Sequence, residues 1–594
     1  MRRLGLLARL AMCASLGLVG CNGEIISSGG SGDSERGRGP GGSSPGGSNS
    51  GSGFPGDPNN PAGPGGNGDP NNPAAPSAEV PCPPDASETP GRRVLRRLTG
   101  KEIERTIRSV FGLDQAAWAG LAVPPDPASL DGFNNNVDRL TVGSEFAKGT
   151  LSSAREVAGL VIDDTRLPTI LPCANAGGPP CADTYLKTIG KKLYRRPMTI
   201  AEEQRFMDLY IKISEEADFK TWVYWATLTM LQSPHVLYRS ELGEPAAGGN
   251  YKLTGHEIAS ALSYTFTGGP PSAELLAEAM SGRLSTPDQI EAQARKLIYD
   301  ENQALRPEFR EILLNFADQW VGLSTLQNLK KDEMAFPMFT QAVQEAMTEE
   351  TRRFLTQVLI EEKGTPADLL TAPYTFANET LSHFYGFTPV AGQAFQKVTR
   401  PPGWGIGLLA QGSTLAIESH SLDTSPTKRG YFVRTRLLCG VVPPPPPVVS
   451  ELPEPTGAET TRQRYEKLHV ADESCRACHQ LIDPIGFAFE HLDATGRYRE
   501  RENGFDIDDS GVLTQTGKGD LPFQGPEELA RTVASLPETA ECLASYVASY
   551  AFGVQQKNAS CLVRSATEEL RKGMSVVDFY LRMARSPHFR TRLP

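Results

Sequence analysis

The chain has 594 residues, 22% of them charged, and a formal net charge of -11. That length exceeds what one compact core ordinarily organises, so at least two folded units are expected. The acidic excess is modest and spread along the chain, which excludes the concentrated basic footprint of a nucleic-acid binder; no nucleic-acid partner is expected.

Residues 1–20 have the pattern of an export signal: Arg2 and Arg3 precede an apolar run that closes on Leu18-Val19-Gly20-Cys21. That ending resembles a bacterial lipobox, which implies lipidation at Cys21 and a membrane reached through a lipid anchor. No later apolar run has the length of a spanning helix. The best, Trp222 to Leu231, is about half of what a bilayer needs and suits a core helix. Residues 21–91 are Gly, Pro, Ser, Asn and Asp with almost no large apolar side chains, and Gly-Asp-Pro-Asn-Asn-Pro-Ala occurs at Gly56 and again at Gly68. Such a segment cannot bury enough surface to fold, and predicts a disordered tether reaching about 45 Å.

Helix signals begin next, and the fold class expected is mainly α: a multi-helical body followed by a small helical module. Helical domains are expected over 92–245 and 246–440. Arg92, Arg93, Arg96 and Arg97 are expected to flank a helix entry in solvent. Thr99 with Glu102 forms a capping box ahead of Ile103, Ile107, Val110 and Phe111. Thr199 with Glu202 and Thr254 with Glu257 repeat the device, and Thr286-Pro287-Asp288-Gln289 adds a proline at the first helical position. Phe309, Ile312, Leu313, Phe316 and Trp320 keep the clearest helical period. Glu349, Glu350, Arg352 and Arg353 share helical spacing and are expected to form an exposed, salt-bridged face.

Pro443 to Pro447 then forces a short polyproline II rod inside a linker over 441–465. The module at 466–594 begins with the cysteine motif and ends in helices from Glu527 to about Val554 and from Glu568 to Arg585. Between them, "GVLTQTGKGDLPFQG" suits a small hairpin punctuated by Gly511, Gly517 and Gly519.

Export places the cysteines in an oxidising compartment. Of ten cysteines, Cys13 lies in the signal and Cys21 at its end. Among the others, close spacing favours Cys173 with Cys181 and Cys542 with Cys561 as disulfides, while Cys82 and Cys439 have no evident mates.

Cys475-Arg-Ala-Cys478-His479 carries the most chemistry. In a c-type cytochrome the two thiols add across the haem vinyl groups and the adjacent histidine becomes the proximal iron ligand. Two rivals use the same residues. Cys475, Cys478 and His491 have finger-like zinc spacing, but the second histidine is missing and His469 would substitute only by an unusual route. The two cysteines would alternatively pair with each other, or with Cys439 and Cys82. A haem iron also lacks an evident sixth ligand: Met574 and Met583 lie in expected helices, where packing is the commoner role, and His491 sits among Phe487, Phe489 and Leu492. Asp506-Ile-Asp508-Asp509-Ser510-Gly511 has the first half of a calcium loop, yet Gly517 stands where a bidentate glutamate is required, which leaves a polar turn. No nucleophile elbow, phosphate loop or dinucleotide fingerprint is present, so hydrolase chemistry has no named residues.

The chain resembles the multi-domain planctomycete-type cytochrome c proteins, built from consecutive domains of unknown function. The likeness runs through "RRLTGKEIERTIRSVFGLD", "LYRRPMTIAEEQRF", "LQSPHVLYR", "FADQWVGL", "LLTAPYTFANETLSHFYG", "TSPTKRGYFVRTRLLCGVVPPPPP" and "CRACHQLIDPIGFAFEHLDATGRYR" in that order. The resemblance implies one covalent haem c at Cys475 and Cys478 with His479 as the proximal iron ligand. Asp483, Pro484, Gly486, Phe487 and Glu490 also match the motif, implying a fixed shell around it. With haem attached, the expected function is electron transfer or small-oxidant chemistry, and the chain, if it is an enzyme, would be a haem-dependent oxidoreductase. The chain would sit in the cell envelope, lipid-anchored at the outer membrane or cell surface, with a redox partner protein or an envelope polymer as its partner. The alternative is a disulfide-stapled surface scaffold or binding lipoprotein without haem.

Overall fold

Several of the helices begin at a threonine capping box. The computed structural model describes residues 91–118, 123–128, 132–443, 455, 457–469, 473–554 and 561–594; the export signal, Cys21, Cys82, nearly all of the tether and most of the proline rod lie outside the described residues. Thr99, Thr199, Thr254 and Thr286 each accept the backbone N–H of a Glu or Gln three residues on, whose side chain returns to the threonine N–H. These boxes open α1 (Gly100–Phe111), α2 (Ile200–Ser214), α4 (Gly255–Thr267) and α5 (Pro287–Ile298). Between α2 and α4 lies α3 (Phe219–Leu231), whose Trp222 and Val223 are fully buried. No helix among the described residues is long and apolar enough to cross a membrane. Helix α6 (Pro307–Trp320) buries Phe309, Leu313, Phe316 and Trp320 as their period requires, and α7 (Gln341–Thr356) follows.

The chain is mainly α-helical, with only short strands. One hydrophobic core gathers the N-terminal helices around Leu193, Trp222 and Val223. A second runs from Phe266 and Phe316 through Phe354 and Phe432 to Ile485, Phe489, Val547 and Tyr580. The central helices, the cysteine-motif segment and the C-terminal helices therefore bury their apolar faces against one another. The motif segment contains α8 (Pro426–Phe432), α9 (Thr461–His469), α10 (Glu473–His479) and α11 (Asp483–Phe487). Strand Ser510–Thr516 pairs antiparallel with Gly519–Gln524, the hairpin that the glycines mark. Helices α12 (Gly525–Ala534), α13 (Pro537–Phe552), α14 (Cys561–Arg571) and α15 (Val576–Arg585) complete the chain.

Several local expectations are corrected. Of the arginines near residue 95, Arg92 and Arg93 are exposed, but Arg96 and Arg97 are not in solvent. They lie on or beside β1 (Val94–Arg97), which pairs antiparallel with β2 (Tyr238–Glu241), and Arg96 and Arg97 are buried against Glu241 and Asp126. Glu350 is not on an exposed face. It is fully buried, accepts hydrogen bonds from Thr375 and Tyr385 at 2.6 and 2.7 Å, and pairs with Arg400 at 3.2 Å; Glu349 and Arg353 do form an outward pair, and exposed Arg352 pairs with Asp318. The helix expected from Glu527 to Val554 is two helices, because Pro537 cannot donate to the turn before it and opens a new one. The polar turn expected from Asp506 to Gly511 spans the connection between two short strands, Asp506 ending one and Ser510 starting the other.

Cys173 is bonded to Cys181. Cys542 is bonded to Cys439 rather than to Cys561, which corrects the spacing argument. The Cys542 sulfur lies 3.5 Å from the Arg436 carbonyl oxygen, so α13 faces the segment that follows α8. Cys561 carries a disulfide of its own.

Candidate functional site

The site is built on two helices that touch backbone to backbone. A Cβ on Gly430 in α8 would lie 1.8 Å from the Ile482 carbonyl oxygen, and one on Gly486 in α11 would lie 1.9 Å from that of Pro426. Only glycine admits this approach. Two arginines from the α8 side then fasten the motif segment by its carbonyls. Buried Arg429 donates to the oxygens of Phe489, Leu492 and Asp493, and Arg434 to those of Leu481 and Thr514. Burial lowers the Arg429 guanidinium to about 10, with the charge of Glu490 opposing that shift. Glu490 is itself buried and holds Thr424 and Arg499 at 2.7 and 3.0 Å.

On this base α10 presents Cys475, Cys478 and His479. Both thiols are half-buried and neither is in a disulfide. Their separation of three residues puts them on one helical face. The His479 Nδ1 lies 3.1 Å from each oxygen of Asp483, the first residue of α11. His469, the last residue of α9, places its own Nδ1 2.6 Å from the same carboxylate. The two imidazole rings lie 3.5 Å apart between centroids, and Tyr465 meets His469 edge-on. Thr427 of α8 donates to Asp483 at 2.6 Å, which ties the cluster to the glycine contact.

Asp483 is 5% exposed. Burial pushes its carboxyl up, but hydrogen bonds from His469 and His479, the His479 charge and Thr427 outweigh it and hold the carboxyl below its ordinary value. With Nδ1 committed to Asp483, the Nε2 atoms of both histidines are the nitrogens left for a ligand. The donor atoms of His469, His479 and Asp483 all lie within 4.8 Å of one another.

The structure thus joins His479 to His469 and Asp483, and leaves the other candidates elsewhere. His491 donates Nδ1–H to the Arg499 carbonyl at 2.8 Å and stacks on Tyr498, apart from the zinc grouping its spacing suggests. Met583 is buried in the shared core and Met574 packs against it. Thr427, Arg429 and Arg434 carry no sequence signal of a site. Asp483 does have one, as part of the motif.

Four protein-family models match the chain in order: PSD3, a protein of unknown function (DUF1587), over 96–163; PSD5 (DUF1595) over 181–241; PSD4 (DUF1592) over 253–387; and PSCyt3 (DUF1588) over 406–502. No curated protein and no solved structure matches. The last of the four matches contains α8, both close-contact glycines, Cys475, Cys478, the two adjacent histidines and Asp483, so the site described above falls within a single family module. With its modules in this order, the chain belongs to the multi-domain PSD and PSCyt family of planctomycete cytochrome c-type proteins.

Proposed function

We propose that this chain is an envelope-anchored c-type haem protein that passes electrons or reacts with small oxidants. The observation that carries the reading is that Cys475 and Cys478 remain thiols while every other described cysteine is disulfide-bonded. A pair of free thiols on one helical face, followed directly by a histidine, is the donor set that covalent haem attachment uses. Cys475 and Cys478 would hold the group by thioether bonds, and His479 would supply Nε2 to the iron. When bound, the group supplies one-electron chemistry.

The protein's own part is to fix the donors. Asp483 accepts from the His479 Nδ1 and so sets the tautomer in which Nε2 carries the free lone pair. Thr427 and the contact between α8 and α11 hold that carboxylate in place. Lipidation at Cys21, an outer-membrane or surface location and a redox partner protein belong to the same proposal; the domain name PSCyt3 supports its cytochrome part. The test is to express the mature chain with haem-attachment machinery and stain a denaturing gel for covalent haem. The wild type should stain, and a Cys475→Ser, Cys478→Ser double variant should not. An unstained, correctly folded wild type would overturn the reading.

A second reading has an observation of its own, the convergence of His469, His479 and Asp483, which is the donor spacing of a divalent-cation site in a scaffold without haem. Stoichiometric zinc in protein that takes up no haem, lost in His469→Ala, would favour it.

A further inference from the structure

Arg96 stands apart from the haem reading and lines a different cavity. In the antiparallel pair of β1 and β2, Arg96 lies directly across from Arg239, two like charges in register where such a pair is destabilising. Both are buried, at 8% and 3% exposure. The shared acid is Glu241, which pairs with Arg239 at 2.7 Å, meets Arg592, and approaches Arg96 at 3.8 Å. One carboxylate thus serves three guanidinium groups. The Nε atoms of Arg96 and Arg239 have no hydrogen-bond partner among the described residues.

Neighbouring acids do not close the gap. Asp126 is paired with Arg97 at 2.8 Å. Glu102 caps the Thr99 N–H and its charge offsets part of the excess, while Glu311 is outnumbered by Lys101 and Arg105. The C-terminal end of α13, capped by Gly553 beside Arg96, offers about half a negative charge. Net positive charge therefore remains in a buried setting, where an unpaired ion is costly.

Beside these arginines is a cavity of about 90 Å³, lined by Arg96, Arg239, Arg105, Asn135, Asn315 and Tyr550, with Glu102 and Glu311 at its wall. Its walls come from the PSD3, PSD5 and PSD4 modules and from α13. Its amides are partly committed. Asn315 donates to the Tyr550 hydroxyl at 2.6 Å, and Asn135 donates to the Tyr550 carbonyl at 2.7 Å while its own Oδ1 has no donor among the described residues. A fitting occupant brings negative charge for the arginines and one O–H for Asn135.

We propose that this cavity binds one small oxyanion that also carries a hydroxyl, either hydrogen phosphate or a short hydroxycarboxylate. The size of the cavity admits a handful of non-hydrogen atoms, and the charge excess selects an anion over a neutral polyol. The site is independent of haem, so it stands or falls without the reading above.

Thermal unfolding of the full mature chain, titrated with phosphate, with glycolate and with sodium chloride at matched ionic strength, tests the proposal. A saturable rise in Tm with phosphate or glycolate, beyond the chloride control, is expected, and the better anion identifies the source. Arg96→Gln should abolish the response, but this buried position is also structural. Asn315→Asp provides the second arm: it keeps the shape and supplies the missing charge. That variant should raise the Tm of the anion-free protein and weaken the anion at least tenfold. Wild-type curves that overlay the chloride control would overturn the proposal, as would an Asn315→Asp variant that responds like wild type or loses stability without anion.

Discussion

Asp483 shows what a single residue contributes and how far sequence reaches at that scale. It is buried and held below the ordinary carboxylate value by the balance already described, so a full negative charge faces the His479 Nδ1 at 3.1 Å. A carboxylate in that position raises the basicity of the opposite nitrogen and favours the higher charge on any metal bound there. In haem-loaded protein, Asp483→Asn keeps the shape and removes the charge. The midpoint potential should then rise, on the order of tens of millivolts, in a potentiometric titration followed by absorbance; an unchanged potential would mean that Asp483 only packs. Sequence supplies Asp483 only as part of the motif; its pairing with His479, across the end of α10 and the start of α11, is made by the fold. The approach of His469 is likewise not legible, since it depends on α9 and α10 folding side by side. Burial of Arg96 is equally hidden: locally its neighbourhood is that of a solvated flank, and the residues that enclose it, Glu241 and Arg592, are supplied from far along the chain.

Elements are more legible than single burials because caps and turns are local chemistry. Each of the four boxes read from sequence starts a helix, and the glycine-marked hairpin forms. The contact of α8 with α11 lies beyond that reach, because nothing in "TKRGYF" says which backbone the glycine will meet. It makes a direct prediction. In Gly430→Ala the new methyl would lie 1.8 Å from the Ile482 oxygen, a backbone atom that can move only with the whole of α11. Overpacking of this kind costs about 1–3 kcal/mol and sometimes more. Since Thr427 and Asp483 sit on the two helices being pushed apart, the variant should unfold at lower urea concentration and also attach less haem. A substitution with the same volume change at exposed Gly143, where nothing lies near the new atom, should do neither. Equal effects at the two positions would show that the close approach is not what holds the site.

At the scale of the whole molecule the order of modules is written in the sequence, whereas the way they are joined is not. Spacing in sequence favours the nearest cysteine, but the fold brings Cys439 and Cys542 together across 103 residues, enclosing α9, α10, α11 and the hairpin, though not α8, in one covalent loop. Besides the arginine bonds and the glycine contact, the shared core that runs from Phe432 to Ile485 and Val547 and this cross-link hold that segment to the body. Their weights differ in a measurable way. Closing a loop of that length restricts the unfolded chain by about 4.7 kcal/mol, against about 2.5 kcal/mol for the 8-residue separation of Cys173 and Cys181. The Cys439→Ser, Cys542→Ser variant should lose more stability than the Cys173→Ser, Cys181→Ser variant when both are unfolded in urea under oxidising conditions. It should also become sensitive to protease on either side of the motif while the N-terminal helices, which have their own core, stay protected. If the short loop proves the costlier to open, or the motif segment stays as resistant as before, then the non-covalent contacts alone fasten it and the long cross-link is dispensable.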